Sequence, residues 1–436
     1  METESLESLC ELIVDCPHFT PKWTDSGIIV TRNQNIRNGK LDLTNPSYTN
    51  NENYERRIKR AKPSAGDLIF TREAPMGEIC MIPEGLECCL GQRQVLLRTN
   101  KDINSKYLLF AMQSSFVRHQ ILWSEGTGST VSNVRLPDLR ALKIPRHKGG
   151  EDGIASVLGA LDDKIENNRR MNETLEEMAR TIFKSWFVDF DPVHAKAAGN
   201  APAHMDDETA ALFPSSFGDD GLPKGWKWRK LGDCVTLTKG RSYKSAELQE
   251  SDTALVSLKS FLRGGGYRPD GLKAYIGTYK DEQTLNSGDL IVALTDVTQA
   301  ADVIGKPAIV RSDNEFKTLV ASLDVGVLRS IEPSVSIPFL YCMMMTHDFQ
   351  THIYGHTSGT TVLHLGKEGV PTYEFGMPTC EVLDKFTTIA KPIFSKIELN
   401  AGNSNTLAEL RDTLLPKLMS GELRVADAER EVEGAL

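Results

Sequence analysis

Metal ligands, nucleophiles and phosphate cradles each have a few candidate positions in this chain of 436 residues. His347, His352 and His356 are spaced so that a helix would bring imidazoles near one another. No carboxylate signature accompanies them, so polar surface or loop contacts are expected in place of a metal. Cys342 or Cys380 can be drawn against a histidine as a thiol nucleophile, yet no local sequence supports either. The eight cysteines (Cys10, Cys16, Cys80, Cys88, Cys89, Cys234, Cys342 and Cys380) form no C-x-x-C pair, which points to free thiols in a reducing compartment. Gly264-Gly265-Gly266 lacks the Gly-Lys-Ser/Thr continuation of a phosphate loop and reads as a turn. No catalytic residue, metal or cofactor is therefore expected on the chain itself.

One further motif touches on chemistry. Asn45-Pro46-Ser47-Tyr48 is similar to the Asn-Pro-Pro-Tyr element with which adenine-N6 methyltransferases hold the target amino group. The third residue differs, and no glycine-rich strand, loop and helix precedes it. An Asx-Pro turn is the preferred reading, with a fused adenine methyltransferase as the enzyme alternative.

The elements that would position any such residues repeat along the chain, with a period of about 232 residues. Lys164 to Thr181 and Lys396 to Thr413 share eight identities in 18 positions. Upstream, Gly66-Asp67-Leu68-Ile69 recurs as Gly288-Asp289-Leu290-Ile291, Gly128-Ser129-Thr130 as Gly359-Thr360-Thr361, and Ile144-Pro145 as Met377-Pro378. Each half is a mixed unit in which short β-rich runs are broken by turns such as Asn38-Gly39, followed by a long helix. Ser105 to Trp123 fits one amphipathic helix, with Ile337 to Ile353 as its counterpart. Leu158, Leu161, Ile165, Asn168, Asn172, Leu175, Ala179, Ile182 and Trp186 follow coiled-coil spacing, and so do Ala390, Ile393, Ile397, Asn400, Ser404, Leu407, Arg411, Leu414 and Leu418. The polar residues in the middle of both seams predict antiparallel pairing of the two helices in a fixed register. Pro392 is placed in a first helical turn, and Pro416 should end or kink its helix near the last turn.

The expected class is α+β, a pseudo-twofold internal repeat. Strand-rich domains at 1–150 and 221–379 are separated by helices at 151–190 and 380–424, with an acidic linker at 191–220 and an acidic tail at 425–436. The net charge is -9, yet residues 21–150 carry +8, which suits phosphate contacts. The uncharged run Pro333 to His347 is too short and proline-interrupted for a membrane span, so a cytoplasmic protein without a membrane partner is expected.

With this repeat, the chain resembles the specificity (S) subunits of type I restriction-modification systems over nearly its whole length. The residues that carry the resemblance are Gly221-Leu222-Pro223-Lys224-Gly225-Trp226 with Leu231-Gly232, the paired Gly-Asp-Leu-Ile elements, and Ile165-Glu166-Asn167-Asn168 continuing to Ile182-Phe183-Lys184-Ser185-Trp186-Phe187. The most specific stretch is Leu410-Arg411-Asp412-Thr413-Leu414-Leu415-Pro416-Lys417-Leu418-Met419-Ser420-Gly421-Glu422. His18 to Pro21 and Asn35 to Gly39 also look like the start of a first target-recognition domain. The resemblance implies a non-catalytic reader of double-stranded DNA, in which each recognition domain reads one half of a bipartite target and the paired helices set the gap. It further implies two docked methyltransferase (M) subunits and joining restriction (R) subunits. S-adenosylmethionine, ATP and magnesium would belong to those partners. A scaffold whose coiled coil brackets proteins without reading DNA is the remaining alternative.

Arginine and lysine match guanine edges, Asn and Gln match adenine, and hydroxyls match phosphates. On that chemistry the DNA-binding candidates in loops of the first half are Arg32, Asn33, Asn35, Arg37, Lys40, Arg56, Arg57, Lys59, Arg60, Arg72, Gln92, Arg93, Gln94, Thr127 and Ser129. In the second half they are Lys239, Arg241, Tyr243, Lys244, Lys259, Arg263, Gln299, His356, Ser358, Thr360 and Thr361. Arg56 to Arg60 equally suit helix charges balanced by Glu52 and Glu55.

Overall fold

The computed structural model describes residues 2–123, 133–298, 300–313 and 315–435. It divides into two compact units, residues 1–167 with 404–436 and residues 168–403. Each unit thus takes a strand-rich domain and a share of both long helices, Glu151–Phe187 and Cys380–Ser420.

The repeat seen in the residues is a repeat of topology. In the first unit an antiparallel sheet runs in the order Cys10–Asp15, Gln94–Thr99, Leu68–Thr71, Ile79–Met81. In the second unit the order is Val235–Lys239, Val325–Ser330, Leu290–Ala293, Pro307–Ile309. Leu68 faces Leu97 as Leu290 faces Leu328. A parallel strand pair accompanies each sheet, Ile28–Thr31 with Cys88–Leu90 and Thr253–Val256 with Thr318–Ala321. The Gly-Asp pairs begin equivalent strands for one physical reason. Gly66 and Gly288 take φ of 85° and 91°, open only to residues that bear the left-handed region cheaply. Asp67 and Asp289 then close the turn by accepting from the Ser64 and Asn286 amides at 2.9 and 3.0 Å.

The amphipathic segments are each two helices, not one. Ser105–Gln113 is followed by Ser115–Trp123, and Ile337–Met344 by His347–Gly355. The breaks fall at Ser114 and Thr346, equivalent positions in the repeat. Each hydroxyl donates back to a carbonyl, of Ala111 at 2.6 Å and Met343 at 2.7 Å, and accepts from the first turn of the next helix. Apolar periodicity persists across such a break, so the pattern alone hides it.

Within the first unit, Leu158 and Leu161 of the central helix share a core with Leu407, Leu414, Leu418 and Met419 of the C-terminal helix and with Tyr107 and Leu108. Arg411 donates to Asp162 at 2.7 Å. Within the second unit, Asn400 Nδ2 donates to Asn172 Oδ1 at 2.9 Å, Asn172 Nδ2 to the Ile397 carbonyl at 3.2 Å, and Asn168 Nδ2 to the Asn400 carbonyl at 3.4 Å. Ascending numbers on one helix meet descending numbers on the other, so the helices pair antiparallel. Ile165, Leu175, Ile182 and Ile393 are half-buried, while Trp186 joins an aromatic cluster with Phe187, Phe213 and Phe386. Pro392 does not lie in a first turn. The helix starts at Cys380, earlier than the proline suggested, because the turn beginning Cys380-Glu381-Val382-Leu383 buries Val382, Leu383 and Phe386 in the core. Pro416 stands near the end, and the helix stops at Ser420. The stretch 191–220 carries two short helices, Asp191–Ala197 and Asp207–Ala211, with Val193 and Phe213 in the core of the second unit. Residues Val425–Glu433 form a helix that buries Ala428 and Val432. No helix among the described residues is long and apolar enough to cross a membrane.

Candidate nucleic-acid interface

In the first unit the chain leaves the strand Ile28–Thr31 through a tight turn. The Arg32 amide donates to Asn35 Oδ1 at 3.0 Å and the Asn35 amide to the Arg32 carbonyl at 2.8 Å. A two-stranded ribbon follows, pairing Ile36–Arg37 with Lys40–Leu41 around Asn38-Gly39. Both turn residues have positive φ, 49° and 81°, as a two-residue hairpin turn demands. The Asn38 amide binds Glu78 Oε2 at 2.8 Å, which pins the ribbon to the sheet. Arg32 lies 5.5 Å from the centre of the Trp23 ring, which is 46% exposed. Among the described residues, Arg32, Arg37 and Lys40 have no carboxylate within ion-pair distance; Arg56, over the Phe19 ring at 4.7 Å, and Lys59 are likewise unpaired. These five cations form the nominated set that remains available to phosphates or base edges.

Other nominated residues are occupied. Arg57 is 3% exposed and spends its guanidinium on the carbonyls of Leu90, Phe19 and Pro17 at 2.8, 2.7 and 3.4 Å; burial lowers its pKa from the usual guanidinium value. Gln94 is fully buried and accepts from Thr31 Oγ1 and the Gly91 amide at 2.7 and 2.9 Å. Asn35 is buried and holds the Asp42 carbonyl at 2.9 Å. These three are internal braces, not DNA contacts, because a loop of polar residues needs its own backbone groups satisfied. Asn33 donates to the Glu73 carbonyl, and Arg93 pairs with Glu73 at 2.9 Å. Arg72 pairs with Asp15 at 3.0 Å, while Arg60 reaches the Asp15 carbonyl at 3.3 Å. Gln92 donates to Thr20 Oγ1 at 3.0 Å. Thr127 and Ser129 lie outside the described residues, as does Gln299.

The second unit rebuilds the same frame with different tips. The Ser257 amide donates to Ser260 Oγ at 3.3 Å and the Ser260 amide to the Ser257 carbonyl at 2.8 Å, matching the Arg32 to Asn35 turn. Lys259 within the turn and Arg263 beyond it are exposed, Arg263 with Asp302 at 3.9 Å. The triple glycine 264–266 lies at positive φ throughout and serves as the turn expected of it. Lys239 and Lys244 are exposed, Arg241 is half-buried against Thr278, and Tyr243 accepts from Lys273 at 3.2 Å. Ser358, Thr360 and Thr361 are exposed beside a short strand, Leu363–Leu365, that pairs with Thr295–Asp296. His356 stacks on His352 with ring centres 4.3 Å apart, and both rings face backbone carbonyls. Burial lowers the His352 pKa, against the bond to Gly369, so the ring is neutral at pH 7. Burial alone would raise the buried Asp296 carboxyl, but donors from Thr298, Val303 and Ile304 at 2.6–3.0 Å hold it below its ordinary value. Among the described residues no group of three His, Cys, Asp or Glu side chains could hold a metal. Asn45 lies in an exposed bend leading into the strand Ser47–Thr49, the turn reading of that motif. Sequence reasoning missed Trp23, whose signal was an aromatic beside Lys22 in a basic loop.

The family model described as the type I restriction modification DNA specificity domain matches residues 21–177. That stretch is similar to the specificity domain of type I restriction-modification systems. The match takes in Trp23, the Arg32 turn and the ribbon, and ends at Glu177 in the central helix. Two family relatives are similar over most of the chain. The type I restriction enzyme MjaIX specificity subunit of Methanocaldococcus jannaschii is 26% identical over 376 residues, covering 83% of this chain and 78% of the relative. The HindI specificity subunit of Haemophilus influenzae is 25% identical over 413 residues, covering 82% and 86%. The crystal structure of the type I S subunit from M. genitalium aligns with a TM-score of 0.51 at 15% identity, over 96% and 95% of the two chains, a likeness of fold.

Proposed function

We propose that this chain is a type I specificity subunit that reads a bipartite double-stranded DNA target, one half-site for each unit, and that its paired helices set the interval between the halves. The observation that carries the reading is the Arg32 to Asn35 turn repeated as Ser257 to Ser260, one frame bearing different basic side chains: Arg32, Arg37 and Lys40 in one unit, Lys259 and Arg263 in the other. A constant frame with variable tips is what two different half-sites require. The helices also dock the methyltransferase subunits, two in number, and the restriction subunits join that assembly. Chemistry that needs S-adenosylmethionine, ATP or magnesium then resides on those partners, and this chain contributes recognition.

The test is methylation mapping of plasmid DNA after expressing this chain with and without its methyltransferase partner. Adenine methylation at one bipartite motif, only when both are present, is the expected result. Methylation by this chain alone would make it an enzyme. None in either case, with a competent partner, would leave a scaffold.

A further inference from the structure

The loops beyond the parallel strand pairs correspond residue by residue in the two units, yet they carry different chemistry. Thr31 faces Leu90 in the first unit as Val256 faces Ala321 in the second. Counting onward from those pairs, Arg37 falls on Leu262, Gln92 on Leu323 and Arg93 on Asp324. The bond that ties the last of these to the central sheet is kept in altered form. Arg93 pairs with Glu73 at 2.9 Å, and Asp324 accepts from Thr295 Oγ1 at 2.9 Å. One loop frame thus presents a guanidinium and a carboxamide in the first unit and two leucines in the second.

The apolar tips of the second unit are held together. Leu262, Leu323 and Val297 are 48%, 45% and 68% exposed. The glycine turn after Leu262 is tied to the loop that follows Val297, the Gly264 amide donating to the Asp302 carbonyl at 2.9 Å. Asp296, beside Val297, closes that loop by accepting from the Val303 and Ile304 amides at 2.6 and 3.0 Å. Thr295 carries the connection on to Asp324, and the Leu323 amide donates to the Arg241 carbonyl at 2.8 Å. Three exposed apolar groups therefore stand on braced loops beside Arg241 and Arg263, where a nucleic-acid reader carries its base contacts. In the major groove the apolar feature of a base edge is the thymine C5 methyl. A leucine set against the acceptors of guanine or the amino group of cytosine would leave them unpaired out of water, so it selects against those bases as well as for thymine.

We propose, resting on the DNA-reading function above, that the second unit reads thymine methyl groups, with Leu262, Val297 and Leu323 as its specificity-determining contacts. The first unit reads the other half-site through polar base edges, with Arg37 and Gln92 at the equivalent positions.

The test uses the full chain assembled with its methyltransferase partner and a duplex carrying the target mapped by methylation. Thymine is replaced in one half-site at a time by deoxyuridine, which pairs in the same way but lacks the methyl. Affinity is expected to fall about fourfold for each methyl contacted, and in one half-site alone. The triple variant Leu262→Arg, Val297→Ser, Leu323→Gln, whose first and last changes install first-unit residues at exposed positions, should melt as the parent does and lose the deoxyuridine penalty. Indifference of both half-sites, an equal penalty in both, or a penalty that survives in the variant would overturn the proposal. Binding that is lost in the variant but indifferent to deoxyuridine would assign these side chains to wedging between base steps from the minor groove, and would overturn it as well. A parental complex that neither binds nor methylates DNA refutes the DNA-reading function itself, an outcome distinct from the others, and this proposal falls with it.

Discussion

Arg57 offers the sharpest test of the division between brace and reader. By residue type it is a DNA contact; by geometry it holds together the start of the first unit. Its guanidinium satisfies three carbonyls, two at good distance (2.8 and 2.7 Å) and one at 3.4 Å. Arg57→Ala deletes one charge-assisted donor set and leaves the Leu90 carbonyl, in the strand Cys88–Leu90, with no replacement from solvent at hand. Counting about 1–3 kcal/mol for each of the two strong bonds, with relaxation of the Phe19 loop at the low end, gives a loss of about 3–5 kcal/mol. For a unit of this size 1 kcal/mol moves the midpoint by about 2–4 °C, so scanning calorimetry should show its transition falling by roughly 6–20 °C. Arg57→Lys recovers only part of this, since one ammonium cannot serve three diverging carbonyls. DNA affinity measured well below the lowered midpoint should change little. An unchanged melt with a large loss of affinity would refute the assignment and return Arg57 to the interface.

Arg32→Ala should weaken target binding and reduce the slope of log affinity against log salt by about 1 if the contact is a phosphate, or cost about 1–3 kcal/mol at one base pair if it is a guanine; no effect on binding or methylation in either sense would remove this turn from the interface. Asn168→Leu should stabilise the helix pair by about 1 kcal/mol while loosening its register, because an apolar seam residue replaces a buried amide whose bond to the Asn400 carbonyl is long, 3.4 Å; unchanged melting together with unchanged target spacing would count against that role. Asp296→Asn should destabilise the second unit by about 2 kcal/mol at pH 7. Since the folded pKa of Asp296 is lowered, its stabilisation is complete above the unfolded carboxylate value and disappears as pH falls through the folded one, so parent and variant melts should converge in acid. A pH-independent gap would argue against the carboxylate charge.

Much of the architecture was legible because it was written twice. The Gly-Asp turns and the Asn38-Gly39 hairpin are local patterns whose physics is local, and each is found where its residues imply. The breaks at Ser114 and Thr346 were not legible, since a hydroxyl that caps the next helix leaves the apolar spacing intact. The site was legible only as a list of chemically able residues. Arg57 and Lys59 look alike in sequence, but one faces three carbonyls and the other water, and only the tertiary path of Pro17 to Phe19 decides which. Trp23 was overlooked because its partner Arg32 is nine residues away, and the strand that carries Trp23 and the strand that runs into Arg32 are joined only through Ser47–Thr49.

The division of each long helix between units bears on how the chain is made. The core of the first unit includes Leu407, Leu414, Leu418, Met419, Ala428 and Val432, which are synthesised after the whole of the second unit. At about 5–20 residues per second, the interval between synthesis of residue 167 and residue 404 is roughly 12–50 s. Throughout that interval the half that is translated first has Leu158 and Leu161 with part of their covering absent, while the second half, contiguous from 168 to 403, can complete itself. The earlier-born half is thus the later to mature, and a chain stalled or nicked before residue 404 would expose a hydrophobic face of the first unit.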